Sequence, residues 1–277
     1  MAREWCDRQR FKASYHRKAY DGPTRSRDFG ARHGSGRYVA FIDDDCVASP
    51  DWLQTGLRAF EQAAGGEDDG REVGVVQGRT MPMPGAHPRF LVRTVRVEQQ
   101  SIYFETCNIF YSRGVFEAVG GFSEDFLNQF SGEDTDLGWK TVESGYRVIF
   151  APEALVHHEV FRVTYMQWLR EPLLLFKNLP YIAKKYPRMR RHMYRRYFFS
   201  LDTCLFNLLL AGVLIGLRWP WIGVALAAPY FVQRYRSGGH VGGVMNRLAR
   251  VCFGVPRSIL TWWALARGSV RARSLLL

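Results

Sequence analysis

Residues 37–45 read Arg37-Tyr38-Val39-Ala40-Phe41-Ile42-Asp43-Asp44-Asp45, an apolar β-rich run that stops on three consecutive carboxylates. Such a run, ending on acidic residues, predicts a buried strand whose carboxyl end carries chemistry. Downstream, Ser49-Pro50 reads as an N-cap followed by proline at the first helical position. Trp52, Leu53, Leu57, Phe60 and Ala64 then recur at helical spacing. Residues 65–70 (GGEDDG) read as a surface loop and residues 73–76 as a strand. A short helix is predicted over 114–119, closed by Gly120-Gly121. A capped helix is predicted to start near Glu133 and end at Gly145, and residues 146–150 (YRVIF) form another buried strand. Short apolar strands alternating with helices of about a dozen residues predict an α/β fold on a mainly parallel sheet with helices on both faces.

Three adjacent carboxylates repel one another unless a cation shares them. A hard divalent ion usually takes one or two carboxylates together with substrate phosphates. The alternative is a solvated acidic turn, and a DxD pattern by itself is common. A second acidic cluster, Gly132-Glu133-Asp134-Thr135-Asp136, opens the helix near residue 133. Carboxylates there also suit the positive end of a helix dipole, so the cluster alone reads equally as a cap. The aspartate triad lies about 90 residues earlier. Together the two clusters supply a metal site and a separate carboxylate base, the minimum for displacing a phosphate leaving group with a hydroxyl. His157-His158 follow Phe150-Ala151-Pro152, and one of them, His158 before His157, is a candidate third ligand.

The chain has 277 residues, 47% of them apolar, which excludes disorder as its main state. Its five cysteines follow no disulfide or CxxC pattern, which points to reduced thiols and a cytosolic setting. The opening residues MAREWCDRQRFK contain no apolar run of the kind a signal peptide needs. The formal net charge of +12 is unevenly spread: residues 1–40 carry +6, residues 41–160 carry −11 and residues 161–277 carry +17. A uniformly basic nucleic-acid binder is thereby excluded, and no reader motif is present.

After about residue 160 acidic side chains nearly vanish. Two apolar segments, 203–217 and 219–232, lie inside a hairpin at about 197–233, with Arg195 and Arg196 before it and Arg234 and Arg236 after it. Each segment is about 15 residues long, shorter than the roughly 20 of a full span. A thin transmembrane hairpin, a re-entrant or interfacial hairpin, and a buried helical pair are the three readings. Arginines on both flanks favour a membrane hairpin with both ends on the cytoplasmic face. Trp219 and Trp221 would mark its tip. Residues 245–266, with Trp262 and Trp263 among arginines, read as an amphipathic surface helix. The division expected is 1–160 catalytic and 161–277 helical and membrane-associated.

The run Gly22-Pro23, Arg27-Asp28-Phe29-Gly30, residues 36–45 and Pro50-Asp51-Trp52-Leu53 resembles the middle of a family 2 glycosyltransferase of the GT-A fold. Further resemblances follow in the family's order: Thr106-Cys107-Asn108, Gly120-Gly121-Phe122-Ser123-Glu124, Gly132-Glu133-Asp134-Thr135-Asp136-Leu137, and the histidine after Ala154-Leu155-Val156. The ending Gly268-Ser269-Val270-Arg271-Ala272-Arg273 resembles membrane-associated members. The resemblance implies inverting transfer of a sugar from a nucleotide-diphosphate sugar to a saccharide or lipid-linked hydroxyl, in cell-envelope glycan or glycolipid synthesis. It implies Asp134 as general base, with Arg27, Asp43 and Asp44 on the donor. Asp43, Asp45 and His158 would hold manganese or magnesium, and Asn108 and Glu133 would lie on the acceptor side.

Such domains normally open with a strand, turn and helix that hold the base. Only about 36 residues precede the strand at 37–42, so that opening half is expected to be incomplete here. Two rivals follow. One is a membrane-bound binding module derived from a truncated transferase. The other is a haloacid-dehalogenase-like phosphatase, since Asp43-Asp44-Asp45-Cys46-Val47 also fits that pattern, with Asp43 as nucleophile and Asp45 as acid/base.

Overall fold

Val76, on a strand at the centre of the sheet, separates two layers of helices. A computed structural model of the chain describes all residues except 1–3, 5, 7, 10, 65–69, 86–90, 127–130 and 238–243. The elements run α1 (Pro23–His33), β1 (Tyr38–Phe41), β2 (Cys46–Ala48), α2 (Trp52–Ala64), β3 (Val73–Pro82), β4 (Val92–Arg93), β5 (Ile109–Ser112), α3 (Arg113–Ala118) and α4 (Glu133–Glu143). They continue with β6 (Arg147–His158), β7 (Phe161–Arg162), α5 (Tyr165–Leu175), α6 (Leu179–Lys185), α7 (Leu201–Gly216), α8 (Pro220–Arg236) and α9 (Val244–Ala272).

The main sheet has the order β1-β5-β3-β6-β2. Only β3 and β6 pair parallel; β1–β5, β3–β5 and β2–β6 are antiparallel. The sheet is therefore mixed, which corrects the expectation of a mainly parallel one. Apolar run length and composition report burial and carry no strand direction. Here β5 returns between β1 and β3, so that Phe110 pairs with both Ala40 and Val76.

Residues 42–45 carry the chain from β1 at one edge to β2 at the other. Five Cα steps reach at most about 18 Å, whereas four spacings of a flat sheet span about 19 Å. The link also contains a turn, closed by Cys46 N–H donating to the Asp43 carbonyl at 3.2 Å. The sheet must curl for the link to close, and the curl brings the three aspartates across the strand ends.

Helices cover both faces, as expected. On one, Trp52 and Phe60 of α2 pack on Val76, Phe110, Ala151 and Val156. On the other, Val75, Ile109 and Tyr111 pack with Phe116, Leu137 and residues of α6. Strand alternation sends Val75 and Val76 to opposite layers. β6 is longer than the predicted 146–150 strand and contains both His157 and His158. It absorbs Pro152 because residues 152–154 bulge out: Gly78 pairs with Ala151 and Arg79 next with Leu155. Ser49 does not cap α2 with its side chain, since its hydroxyl is buried without a partner. Residues 65–69 of the expected loop lie outside the described residues.

The composition changes at about residue 160, but the core does not break there. Ile182, Met189, Met193, Leu265 and Leu276 share one apolar cluster with Val75 and Leu137. The expected hairpin is present as α7 and α8. Its helices approach through glycines: a Cβ on Gly223 would lie 2.6 Å from the Gly216 Cα and 2.8 Å from the Gly212 carbonyl. With 16 and 17 residues, α7 and α8 are about 24 and 26 Å long. Among the described residues no helix is long and apolar enough to cross a membrane. The α9 helix outruns the predicted 245–266, and one face of it is docked: Leu265 is buried while Trp263 is half-exposed.

Candidate active site

Arg27, on the second turn of α1, is the hub of the site. Its Nη2 donates to Asp43 Oδ1 at 2.8 Å, and its Nη1 lies 3.1 Å from Glu133 Oε1 and 3.5 Å from Asp134 Oδ1. One guanidinium thus joins the aspartate loop after β1 to the acidic start of α4, two clusters about 90 residues apart in sequence. Burial works against the Arg27 charge, but Asp134, Asp43 and Glu133 outweigh it and hold the group above its ordinary value.

Gly132 turns the chain into α4 at φ 106°, a backbone conformation glycine adopts without strain. Just beyond it, Asp134 is fixed on a second side: Thr106 donates to Oδ2 through its backbone N–H at 3.0 Å and its hydroxyl at 2.9 Å. The side chain is 24% exposed. Enclosure raises its pKa above the usual carboxylate range, while Arg27 and the two Thr106 bonds pull it down. Glu133 is more deeply buried, and its Oε2 has no partner. Burial, and then the Asp134 charge, push Glu133 up to about 7. Asp136 points the other way, fully buried, and accepts from Lys185 at 2.8 Å and Tyr186 at 3.0 Å.

The Asp45 carboxylate, Cys46 thiol and His158 ring nitrogen form a second group, with donor atoms all within 4.8 Å of one another. His158 Nε2 stands 3.7 Å from Asp45 Oδ1. Its Nδ1 lies 2.8 Å from the Glu159 carbonyl. A carbonyl only accepts, so in the neutral ring Nδ1 carries the hydrogen and Nε2 presents its lone pair. One carboxylate oxygen, one sulfur and one imidazole nitrogen at this spacing fit a divalent cation of intermediate hardness. The pairing of β2 with β6 builds the site, because Cys46 and His158 are directly opposed in the ladder.

The structure therefore brings together Arg27, Asp43, Glu133 and Asp134, and separately Asp45 and His158. Asp43 faces Arg27 in this structure, outside the donor group of Asp45. Asp44 is exposed, and His157 pairs with Val47 in the β2–β6 ladder. Asn108 sits elsewhere, 1% exposed and fully engaged inside the protein. Its Oδ1 accepts from Trp52 Nε1 at 2.8 Å, and its Nδ2 donates to the carbonyls of Arg79 and Ala154 at 2.8 and 2.9 Å. The expected acceptor contact is corrected on that ground: the amide ties α2, β3 and β6 together. Sequence reading passed over Cys46 and the Thr106 hydroxyl. A thiol directly after three aspartates was a visible signal for the first; nothing local marked the second.

Residues 1–120 match the family model described as glycosyl transferase family 2. The matched stretch includes Arg27, the three aspartates and Thr106, and the chain beyond it supplies Glu133, Asp134 and His158. The pre-mycofactocin glycosyltransferase of Mycobacterium tuberculosis is 27% identical over 175 residues, covering 60% of this chain and 36% of that protein. The glucosyl-dolichyl phosphate glucuronosyltransferase of Haloferax volcanii is 30% identical over 169 residues, covering 53% and 51%. The chain spans about half or less of the length of these curated relatives. A solved structure, the mannosyltransferase PcManGT of Pyrobaculum calidifontis in complex with GDP-Man and Mn2+, aligns at 14% identity and TM-score 0.44, covering 92% of this chain and 67% of that one. That likeness is loose.

Proposed function

We propose that this protein is an inverting glycosyltransferase that moves a sugar from a nucleotide-diphosphate sugar to an acceptor hydroxyl, with Asp134 as general base. The observation that carries the reading is the double anchoring of Asp134 by Thr106 and Arg27 beside the aspartate loop. A carboxylate held from two sides, yet still in contact with solvent, is oriented to take one proton. Asp134 accepts the proton of the acceptor hydroxyl as its oxygen bonds to the anomeric carbon. The bond from that carbon to the diphosphate oxygen breaks, and the configuration inverts. Arg27 offsets the charge of the carboxylates around it and, with Asp43 and Asp44, lines the donor side. Glu133, one turn position away, lies on the acceptor side. A divalent cation held by Asp45 and His158, manganese or magnesium as the family resemblance implies, would neutralise charge on the leaving diphosphate.

The acceptor, by this reading, is a saccharide or a lipid-linked saccharide of the cell envelope, and the protein works at the cytoplasmic face of a membrane. Exposed Val213, Leu214, Leu217, Trp219, Trp221, Ile222 and Val224 around the α7–α8 turn support an apolar tip inserted at an interface. Salt extraction of sedimented membranes tests that part: apolar insertion resists salt, whereas purely electrostatic attachment is released. The phosphatase reading loses its footing because Asp43, its nucleophile, is ion-paired to Arg27.

The test of the reaction is Asp134→Asn in the full chain, with transfer and donor binding measured side by side. Loss of base catalysis costs about 10²–10⁴-fold in rate, with donor affinity nearly unchanged. Near-normal transfer, or a joint collapse of donor binding and fold, refutes the assignment. Donor binding without transfer by the unaltered chain favours the binding-module reading.

A further inference from the structure

Residues 187–197 (PRMRRHMYRRY) contain five arginines and no acidic residue. They fold into a short 3₁₀ turn followed by a tight loop, in which Arg195 and Arg196 both take left-handed backbone angles, φ 52° and 67°. The loop is closed by an antiparallel bridge between Tyr194 and Phe198. Together with the C-terminal tail it encloses a cleft of about 500 Å³ lined by Arg188, Arg190, Arg191, Arg196, Tyr197 and Leu275.

The arginines of this cleft divide by what they touch. Arg190 builds the wall: it donates to the carbonyls of Ala183, Arg196 and Leu275 and to the Ser274 hydroxyl. Arg188 is shared with Glu143, 3.6 Å away, and the Val142 carbonyl. Arg191 and Arg196 are exposed, and among the described residues neither side chain makes a hydrogen bond or ion pair. Two unneutralised guanidiniums at the mouth of a pocket whose wall is a third raise the local positive potential. Guanidinium forks match the geometry of phosphate oxygens.

The cleft is remote from the catalytic cluster. It abuts Val142 and Glu143 at the C-terminal end of α4, whereas Glu133 and Asp134 open that helix. Ten residues of helix separate the two ends by about 15 Å. Three residues after Tyr197 of the cleft, Ser200 caps α7, the first helix of the apolar hairpin. The exposed arginines therefore lie close in sequence to the start of α7, at the opposite end of that helix from the apolar tip.

We propose that this arginine cleft is a second, non-catalytic binding site for a phosphate group, carried by an anionic lipid headgroup or by a free phosphate compound. It needs neither the sugar donor nor the transfer reaction. Its failure is therefore independent of the function proposed above.

The test uses the full chain and the double variant Arg191→Gln with Arg196→Asn. Asparagine tolerates the left-handed backbone at 196, and neither replaced side chain bonds within the protein. Arg191→Gln alone serves if the double variant does not fold. Partitioning is measured onto vesicles of phosphatidylcholine and of phosphatidylcholine with one third phosphatidylglycerol. Binding of inorganic pyrophosphate is measured by calorimetry with a chelator present, so that the cation-dependent donor site contributes nothing. The unaltered chain is expected to prefer the anionic vesicles, and the double variant to lose about 30-fold of that preference, roughly fivefold per arginine. Pyrophosphate binding that the variant abolishes assigns a free phosphate ligand; loss on vesicles alone assigns a lipid headgroup; loss in both assigns the shared group. The proposal is overturned if the variant matches the unaltered chain in both assays. It is equally overturned if Arg37→Gln with Arg58→Gln, which removes the same charge elsewhere, loses as much.

Discussion

Thr106 holds Asp134 with two bonds to the same carboxylate oxygen, from its backbone N–H at 3.0 Å and its hydroxyl at 2.9 Å. Both bonds favour the ionised carboxylate and oppose the burial that raises its pKa. Thr106→Val keeps the N–H, keeps the shape and removes only the hydroxyl. A hydrogen bond to a charged group is worth about 1.5–3 kcal/mol. The expected result is a fall in transfer rate of about tenfold or more at neutral pH, with the alkaline limb of the pH–rate profile recovering part of the loss. Thr106→Ser restores the rate. A variant that loses rate equally at every pH speaks for displaced geometry instead.

Glu133 gives the fold a pH dependence of definite sign. Burial, then the Asp134 charge, lift its carboxyl to about 7, above the ordinary value of 4.5. A raised folded-state pKa means that the folded chain holds the proton more tightly than the unfolded one. That contribution to stability is complete below about pH 4.5 and is lost as pH rises through about 7. Glu133→Gln is permanently neutral at this position. Between pH 5 and pH 8 its melting temperature is expected to fall less than that of the unaltered chain, by a few degrees, in a calorimetric scan. Parallel curves for the two proteins would show Arg27 compensating the charge fully.

These two acidic neighbours show what the sequence carried and what it did not. The chemistry was legible because carboxylates cluster at two points, after β1 and at the start of α4, and clustering of like charge needs an external cause. The link between them was not, because Arg27 is a single residue on an amphiphilic helix and only the curled sheet brings it to both. Strand direction was likewise hidden: the strand that makes the sheet mixed, the four-residue β5, was not read from the sequence at all, and it returns antiparallel between β1 and β3. The extent of β6 was masked by Pro152, which looks like a terminator and is instead thrown out of the ladder by the register shift after Gly78. Asn108 misled because its neighbours Thr106 and Cys107 line or flank the site, while its own amide turns inward.

The donor group of Asp45, Cys46 and His158 makes a prediction about metal choice. Thiolate is a soft ligand, and carboxylate a hard one. Removing the nitrogen with His158→Ala is expected to weaken cation binding about 10-fold or more for manganese and for zinc alike. Replacing the sulfur with Cys46→Ser is expected to weaken zinc far more than manganese. Titration of each variant with both ions, followed calorimetrically without donor, reads the difference. Equal losses for the two ions in Cys46→Ser would show that the thiol stands beside the site without coordinating.

Asn108 separates a structural role from a substrate contact. Its three internal hydrogen bonds tie Trp52 to the carbonyls of Arg79 and Ala154 at the centre of the sheet. Gly78 is small for the same reason: a Cβ there would meet the Asn108 amide at 2.4–2.5 Å and the Ala154 carbonyl at 2.5 Å. Asn108→Ala leaves one indole N–H and two carbonyls without partners in a dry interior. Each unsatisfied buried group costs about 1–3 kcal/mol, so a loss of several kcal/mol is expected, and Gly78→Ala should destabilise through the same amide. The decisive comparison is made below the melting transition, on protein that remains folded. There the KM for acceptor is expected to stay within about twofold of the unaltered value, because no atom of the side chain is free to touch the acceptor; a twofold change corresponds to less than half a kcal/mol. A large rise in acceptor KM with unchanged melting temperature would return Asn108 to the acceptor site and require its amide to swing out of the sheet.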